Sequence, residues 1–437
     1  MLLSRQAFSP ILSEFIPAIR NSWAYLLAGF SQMPGIGRRG GITTRLSGSE
    51  RYNCAQGTKH AGGAMSFRRA LMNTLGPGIL GGVDGAMWQR HLKTNGLSRQ
   101  DGMQFRLRSQ AIMMHALLSA SYRKREEREF SVAIERTEVQ DPIFVLGHWR
   151  SGTTHLHNLL SIDPQFSFPT TYQTVFPYTF LLTERKQRSR LLSWMMPSTR
   201  PMDNVRQALQ APNEDEFALN TMTFLSPYMS WVFPRSADRY DKYLTLRGIP
   251  EPELDSWRSA LSFFIRKLTY LHHRPMVLKS PTHTARIKLL LELFPNCRFV
   301  HIHRDPYTVF QSTLHTNSKL IEMTSLQDAD SADLGARVLR NFRSMYDSYA
   351  EEAPLIPASR LHEIRYDDLD QNPILEIRRL YEALSLEGFG DLKPALEAYI
   401  GSVRNYEKNR FAPMRDAQRA SIKSAWAREF DLWKYPV

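Results

Sequence analysis

The chain has 437 residues, of which 42% are hydrophobic and 23% are charged, and its formal net charge is +13. This composition is ordinary for an enzyme with a large core, and the charge favours an acidic partner. No basic stripe interleaved with aromatic residues indicates nucleic-acid binding. Two cysteines, Cys54 and Cys297, are too few for a disulfide framework or a zinc site, and no apolar run reaches the roughly 18 residues of a membrane span. We therefore expect a cytoplasmic protein without a transmembrane segment.

Residues 1–64 differ from the rest of the chain. They hold seven Lys or Arg against two Asp or Glu and are glycine-rich without hydrophobic periodicity, which predicts a flexible basic segment outside the fold. The alternatives are a reading frame that truly starts at Met65, a basic tail, or a transit-like segment. Residues 65–140 are mostly helical in pattern, most clearly from Phe105 to Arg136, and predict a helical lead-in to a core domain at 141–437.

A glycine loop opens that core domain. The apolar run Ile143 to Leu146 predicts a buried strand, and residues 147–154 read Gly-His-Trp-Arg-Ser-Gly-Thr-Thr. Glycines at this spacing let backbone N–H groups converge on an anion at a helix N-terminus. A nucleotide triphosphatase needs a lysine where this chain has Thr153, and the cation here is Arg150. The loop therefore predicts an anion site, but not one for the tail of ATP.

Residues 164–274 form a long aromatic-rich insertion, which predicts a helical subdomain added to the core. Core packing would explain most of its aromatic residues. The basic run at 184–190 could contact an anionic substrate or a membrane surface, although an exposed helix end is favoured. The insertion also holds three consecutive carboxylates, which could include a general base. The alternative for them is a helix start, with Asn213 as the N-cap and Glu216 completing a capping box.

Two later segments place a cation at the end of a strand. Met276 to Leu278 leads into Lys279, and Cys297 to His303 leads into Arg304. Asp305 and the proline after it predict the N-cap and first position of a helix.

Strands starting near 143, 276, 299 and 361 alternate with helices starting near 153, 284, 306 and 373. This alternation predicts a P-loop-like, three-layer α/β/α fold, in which a central parallel sheet carries helices on both faces and helical segments are added before and within it. Ligands bind such sheets at the carboxyl ends of the strands, where the glycine loop, Lys279 and Arg304 all fall.

The glycine loop and the segment from Phe299 to Ser312 together resemble the sulfotransferases that use 3′-phosphoadenosine 5′-phosphosulfate. The resemblance runs from about residue 143 to 373 and includes Lys279-Ser-Pro, and also Tyr366-Asp-Asp-Leu with a later Asn-Pro. It implies metal-independent transfer of a sulfuryl group from this donor to a hydroxyl or amine. Residues 164–274 would then form a helical insertion on the acceptor side. The acceptor stays open between carbohydrate, lipid, peptide and small molecule, and so does the oligomeric state.

The resemblance also implies roles for individual residues. Arg304 and Ser312 would hold the 3′-phosphate of the donor, and Tyr366 would lie near its adenine. The residues that would hold the 5′-phosphosulfate all belong to the glycine loop: Arg150, Ser151, Gly152, Thr153 and Thr154.

The catalytic groups are less certain than the donor site. Cytosolic members of the family carry a lysine where this chain has Arg150, so Lys279 is the candidate for the catalytic cation. The two alternative functions are a P-loop kinase-like phosphotransferase, which would need a lysine at 153, and a nucleotide-binding relative without catalysis. The candidates for the base are carboxylates and one histidine that titrates near neutrality: Glu214, Asp215, Glu216 and His283.

Overall fold

The computed structural model describes residues 78–95, 102–187, 208–328, 333–403, 409 and 411–436. The predictions for residues 1–64, for the first residues of the helical lead-in at 65–77 and for the basic run beyond Gln187 lie outside these ranges.

Four parallel strands form the sheet of the described chain: β1 (Ile143–Leu146), β2 (Val277–Lys279), β3 (Arg298–His303) and β4 (Leu361–Arg365). Their order is β2-β1-β3-β4, so the chain leaves β1 first to one side and then to the other. The predicted parallel sheet is confirmed. In such a sheet the crevice for a ligand lies at the carboxyl edge, beside the strand where the order reverses, which is β1 here.

Both faces of the sheet are covered, and β1 shows why. Successive strand side chains point to opposite faces. Phe144 and Leu146 join one hydrophobic cluster, whereas Ile143 and Val145 join another. An unbroken apolar run is what a strand buried on both faces requires. The three-layer arrangement predicted from the alternation of strands and helices is thus present.

Helices make up most of the remaining described chain. The two before the sheet are α1 (Gly85–Asn95) and α2 (Met103–Glu135), and α3 (Thr153–Leu160) follows the glycine loop. The described helices between α3 and β2 are α4 (Thr171–Val175), α5 (Phe180–Gln187), α6 (Glu216–Thr223), α7 (Met229–Val232), α8 (Ala237–Asp241) and α9 (Glu251–His272).

The later helices complete both layers around the sheet. They are α10 (Ile287–Leu293), α11 (Pro306–Thr324), α12 (Leu334–Glu352), α13 (Tyr366–Gln371), α14 (Pro373–Ala383), α15 (Phe389–Val403), α16 (Asp416–Ala425) and α17 (Ala427–Trp433). Short 3₁₀ turns join them, of which Pro281–Ala285 borders the site.

A buried ion pair ties the lead-in helix α2 to the insertion. The ammonium of Lys267 on α9 contacts the carboxylate of Glu126 on α2 and the carbonyl of Pro177, and both charged side chains are almost fully buried. Burial raises the pKa of Glu126, and burial likewise lowers the pKa of Lys267 to about 8.

Two local predictions are wrong. The helix expected from Thr284 begins at Ile287, because residues 281–285 form a 3₁₀ turn first. The capping box expected at Asn213 and Glu216 is absent, since the side chain of Asn213 donates to Thr174 instead. By contrast, Asp305 caps α11 as predicted, accepting the N–H of Thr308 at 2.9 Å.

In the part of the chain that the structure describes, no helix is both long and apolar enough to cross a bilayer.

Candidate active site

The glycine loop between β1 and α3 is shaped by residues with positive φ. Gly147 has φ +138°, and a Cβ there would lie 2.3 Å from the carbonyl oxygen of Ile302. Arg150 has φ +72°, an uncommon value for a residue other than glycine. The N–H of Gly147 donates to the hydroxyl of Thr284 at 2.7 Å, which anchors the loop to the turn after β2. The loop thus curls tightly into the N-terminus of α3, whose first N–H groups have no acceptor within the helix.

The second glycine brings the loop against the end of β4. Gly152 has φ +104°, and an added Cβ would lie 2.3 Å from a ring carbon of Tyr366. The guanidinium of Arg304 lies over the ring of Tyr366, 4.0 Å from its centroid. Glycine loop, Arg304 and Tyr366 therefore form one continuous surface at the carboxyl edge of the sheet.

Arg150 and Ser312 are in direct contact. Nε of Arg150 donates to the hydroxyl of Ser312 at 2.8 Å, across from the loop to α11. Ser151 is buried and bonds within the loop, its hydroxyl donating to the carbonyl of His148 at 2.8 Å. His148 is itself buried, and this burial lowers its pKa to about 4. The predicted donor-binding residues thus lie together, with two guanidinium groups within one site.

Lys279, the last residue of β2, lies beside the other end of the loop. Its ammonium is 2.6 Å from Oε1 of Glu214 and 3.5 Å from the hydroxyl of Thr154. The lysine side chain is 1% exposed and that of Glu214 is 14% exposed. Lys279 therefore joins the helix N-terminus of the glycine loop to one carboxylate of the acidic cluster.

Two aromatic residues that the sequence analysis did not single out complete this contact. The hydroxyl of Tyr228 bonds to Oε2 of Glu214, and Nε1 of Trp149, within the glycine loop, donates to the same hydroxyl at 3.2 Å. Burial, together with the charge of Glu214, raises the pKa of Tyr228 well above its usual value. Nothing in the aromatic-rich insertion distinguishes Tyr228 from its neighbours, whereas the place of Trp149 inside the loop was a readable signal.

The other two carboxylates of the cluster are fully buried and bond to side chains other than Lys279. Asp215 accepts from Nε2 of His283 at 2.6 Å and from the hydroxyl of Ser280 at 2.9 Å. Burial would raise the pKa of Asp215, but these contacts outweigh it and lower the pKa. Asp215 and His283 thus clamp the start of α6 to the turn after β2.

Glu216 makes a second clamp of the same kind. It accepts two hydrogen bonds from the guanidinium of Arg286, at 2.7 and 3.2 Å, and one from Thr282 at 2.9 Å. Both members of the ion pair are fully buried. Of the predicted catalytic residues, the structure therefore brings Lys279 and Glu214 to the loop. Asp215, Glu216 and His283 lie in the packing that supports them.

An apolar cluster includes Tyr228, whose hydroxyl bonds to Glu214. Tyr228 stacks on Trp231 with ring centroids 4.3 Å apart, and Phe217 packs against Tyr228 at 5.0 Å. The buried members pack with side chains that keep part of their surface exposed. These partly exposed members are Ile79, Trp149, Phe217 and Ile321.

Comparison with known proteins establishes the family of this chain. The profile of the sulfotransferase family matches residues 142–391, which span the sheet and the glycine loop. The omega-hydroxy-beta-dihydromenaquinone-9 sulfotransferase Stf3 of Mycobacterium tuberculosis is 35% identical over 307 residues, covering 70% of this chain and 78% of the relative. The chain belongs to the sulfotransferase family. Its activity is transfer of a sulfuryl group, and nothing in these comparisons favours a kinase or a non-catalytic binder.

Two further relatives show how far the similarity extends. Human carbohydrate sulfotransferase 6 is 33% identical over 117 residues, which are 25% of this sulfotransferase and 29% of the human protein. The crystal structure of sulfotransferase STF9 from Mycobacterium avium superposes with a TM-score of 0.58 at 20% identity, covering 81% of this chain and 97% of that one. At that identity the structural match supports the fold alone.

The described residues contain no group of three or more His, Cys, Asp and Glu side chains arranged to hold a metal ion.

Proposed function

We propose that this sulfotransferase uses 3′-phosphoadenosine 5′-phosphosulfate as its donor and an alcohol carried on an apolar molecule as its acceptor. The observation that carries the proposal is the contact of Lys279 with both Glu214 and Thr154, because it joins a cation and a carboxylate to the N-terminus of an anion-binding loop.

The residues at the carboxyl edge fit the donor. Two glycines with positive φ leave no room for a Cβ, so the backbone can approach an anion closely. Arg150 and the N–H groups at the start of α3 supply donors for the 5′-phosphosulfate, with Ser151, Thr153 and Thr154 in the same turn. Arg304 and Ser312 supply the site for the 3′-phosphate. These lie next to Tyr366, whose ring would border the adenine.

The proposed reaction is an in-line displacement at sulfur. The acceptor oxygen forms a new S–O bond, its proton passes to Glu214, and the bond to the bridging phosphate oxygen breaks, leaving the electron pair on adenosine 3′,5′-bisphosphate. Lys279 stabilises the charge that develops on the bridging oxygen. Glu214 is proposed as the base in preference to its two neighbours and His283, because these three are buried in ion pairs and hydrogen bonds of their own.

The apolar acceptor is supported by what surrounds Glu214. The partly exposed side chains that pack in the cluster of its neighbour Tyr228 are aromatic and aliphatic, and such a surface suits an apolar body bearing one hydroxyl better than a sugar. The relative Stf3, similar over most of its length, is named for a hydroxylated menaquinone. The carbohydrate sulfotransferase matches over only 25% of this chain.

The test is to incubate the protein with the donor and a pair of acceptors, a prenyl quinone with a terminal hydroxyl and an N-acetylglucosamine disaccharide. We expect mass spectrometry to show a sulfate ester on the quinone, with turnover lowered about 10²–10⁴-fold in Glu214→Gln. The matched control is Glu363→Gln, which changes a carboxylate on the outer strand β4 that bonds to His301 and Tyr349. Sulfation of the disaccharide alone would contradict the acceptor class, and an undiminished Glu214→Gln would contradict the base.

A further inference from the structure

Four hydrogen bonds and a stretch of backbone join five side chains in a ring that includes the proposed base, Glu214. Trp149 bonds to Tyr228, Tyr228 to Glu214, Glu214 to Lys279, and Lys279 to Thr154. The ring closes through the backbone, because Trp149 and Thr154 both belong to the glycine loop, residues 147–154. The glycine loop is thus connected to the acceptor-side insertion twice. One connection runs from Trp149 to Tyr228, and the other runs from Thr154 through Lys279 to Glu214.

The direction of each bond in the ring follows from the chemistry of the groups. An indole N–H can only donate, so the hydroxyl of Tyr228 accepts from Trp149 and must give its single hydrogen to Glu214. An ammonium can also only donate, so Glu214 accepts from Lys279 as well. Each of the two carboxylate oxygens therefore accepts one hydrogen bond.

The two donors to Glu214 differ in what else they do. Lys279 also contacts Thr154, and its proposed partner during the reaction is the bridging oxygen of the donor, so its bond to Glu214 weakens as charge develops there. Tyr228 has no such second task. It is fully buried and stacked on Trp231, and the other partner of its hydroxyl is the N–H of Trp149.

We propose that Tyr228 is a positioning residue, which holds Glu214 correctly placed while Lys279 turns to the leaving group, and that Trp149 fixes the hydroxyl of Tyr228 from within the glycine loop. This inference rests on the proposed role of Glu214 as the base. It assigns to the acceptor-side insertion a part in the reaction that does not require contact with either substrate.

The experiment compares Tyr228→Phe with wild type in the sulfuryl-transfer assay, over a range of pH. Removing the hydroxyl deletes one hydrogen bond to a charged group, so we expect kcat to fall about 10- to 100-fold while the Kd for adenosine 3′,5′-bisphosphate stays within about threefold. The acid limb of the rate profile should move to higher pH, since a carboxylate that loses a donor binds its proton more readily.

The groups that bear on this pH profile are few in the described structure. Lys279 faces Glu214 from β2, and Tyr228 faces it from the turn before α7. Two more carboxylates follow Glu214 in the chain, and each is bonded to a buried partner of its own. Those two pairs are Asp215 with His283 and Glu216 with Arg286.

The matched control is Tyr381→Phe. Tyr381 is also buried and donates its hydroxyl hydrogen to a carboxylate, that of Asp163 at 2.5 Å, beyond the C-terminal end of α3. This variant should lose stability without any shift of the acid limb. Trp149→Phe, which keeps an aromatic ring in the loop but removes the N–H, should give a smaller fall in kcat in the same direction as Tyr228→Phe.

The outcomes distinguish the role of Glu214 as the base from the role of Tyr228 in positioning it. If Glu214→Gln is inactive but Tyr228→Phe keeps the wild-type kcat and acid limb, the positioning role is wrong and the base stands. If Glu214→Gln is fully active, the base is wrong. A loss of kcat in Tyr228→Phe with an unmoved acid limb, matched by Tyr381→Phe, would also overturn the inference, because it would reduce Tyr228 to a packing residue. If Tyr228→Phe does not fold, Trp149→Phe decides by the same two readouts.

Discussion

Replacing Lys279 with methionine separates catalysis from donor binding. Methionine keeps an unbranched side chain but removes the ammonium that lies 2.6 Å from Glu214 and 3.5 Å from Thr154. Losing one group that stabilises developing charge costs about 10²–10³-fold in turnover, or about 2.7–4 kcal/mol in the barrier. We expect kcat to fall by that factor. The Kd for adenosine 3′,5′-bisphosphate should change far less, because the glycine loop, Arg304 and Ser312 hold the nucleotide.

The same substitution has a cost in stability that must be separated from the cost in catalysis. Breaking a buried ion pair by removing one partner costs about 3–5 kcal/mol. Glu214 is 14% exposed and keeps its bond to Tyr228, so the lower end of that range applies. Lys267→Met is the matched control, because Lys267 and Glu126 are 1% and 3% exposed, and it should be at least as destabilising.

The assay measures turnover at saturating donor, below the unfolding temperature of both variants, with calorimetry for the binding of the bisphosphate. Lys267→Met should keep its turnover, whereas Lys279→Met should lose it. Near-normal turnover of Lys279→Met combined with a collapse of donor affinity would refute the reasoning and return the search for the catalytic cation to Arg150. Equal loss of turnover in both variants would show that stability, not chemistry, was being measured.

Three further predictions concern the donor side of the site. Arg304→Ala should weaken binding of adenosine 3′,5′-bisphosphate by about 2–4 kcal/mol in calorimetry, while Arg365→Ala, which also removes a guanidinium from an aromatic face, should not; equal affinities for both variants would remove Arg304 from the site. Gly152→Ala should destabilise the fold and abolish donor binding, because its methyl group would meet a ring carbon at 2.3 Å; Gly248→Ala, at φ +66° with open space, measures the backbone strain alone, and an equal effect on both would rule out the ring clash. The pKa of His148 is lowered to about 4 by burial, so the unfolded state gains a proton first as the pH falls. The free energy of unfolding should therefore drop between pH 6.5 and pH 4, and His148→Gln should remove up to about 3 kcal/mol of that drop in urea titrations; an unchanged pH dependence would contradict a buried, neutral imidazole.

The sheet and the donor loop were predictable because their signals are local. An apolar run of four residues, two glycines at fixed spacing and a cation directly after a strand each act within a few positions, and the rule for parallel sheets then places them at one edge. The N-cap of α11 at Asp305 belongs to the same class. Such features depend little on the rest of the chain.

The choice among the three carboxylates could not be predicted in this way. Glu214, Asp215 and Glu216 are adjacent, yet their partners lie in Lys279, His283 and Arg286, more than sixty positions away. Tertiary contacts therefore decide which of them meets the loop. The capping box expected at Asn213 and Glu216 is absent for the same reason, because Asn213 bonds to the distant Thr174. A capping box did form at Thr170 and Gln173, which have the spacing of that motif in the sequence.

The most direct test of sulfuryl transfer at this site is a single-turnover reaction with donor labelled with heavy sulfur in the sulfonate, using wild type, Glu214→Gln and Lys279→Met, and the hydroxylated prenyl quinone as acceptor. With wild type, we expect the label to appear in the quinone in equal amount to the adenosine 3′,5′-bisphosphate released. In both variants the transfer step should slow by about 10²-fold or more while donor binding is retained. Transfer at the wild-type rate in both variants, or release of bisphosphate without labelled ester, would contradict the assignment of Lys279 and Glu214 as the catalytic pair.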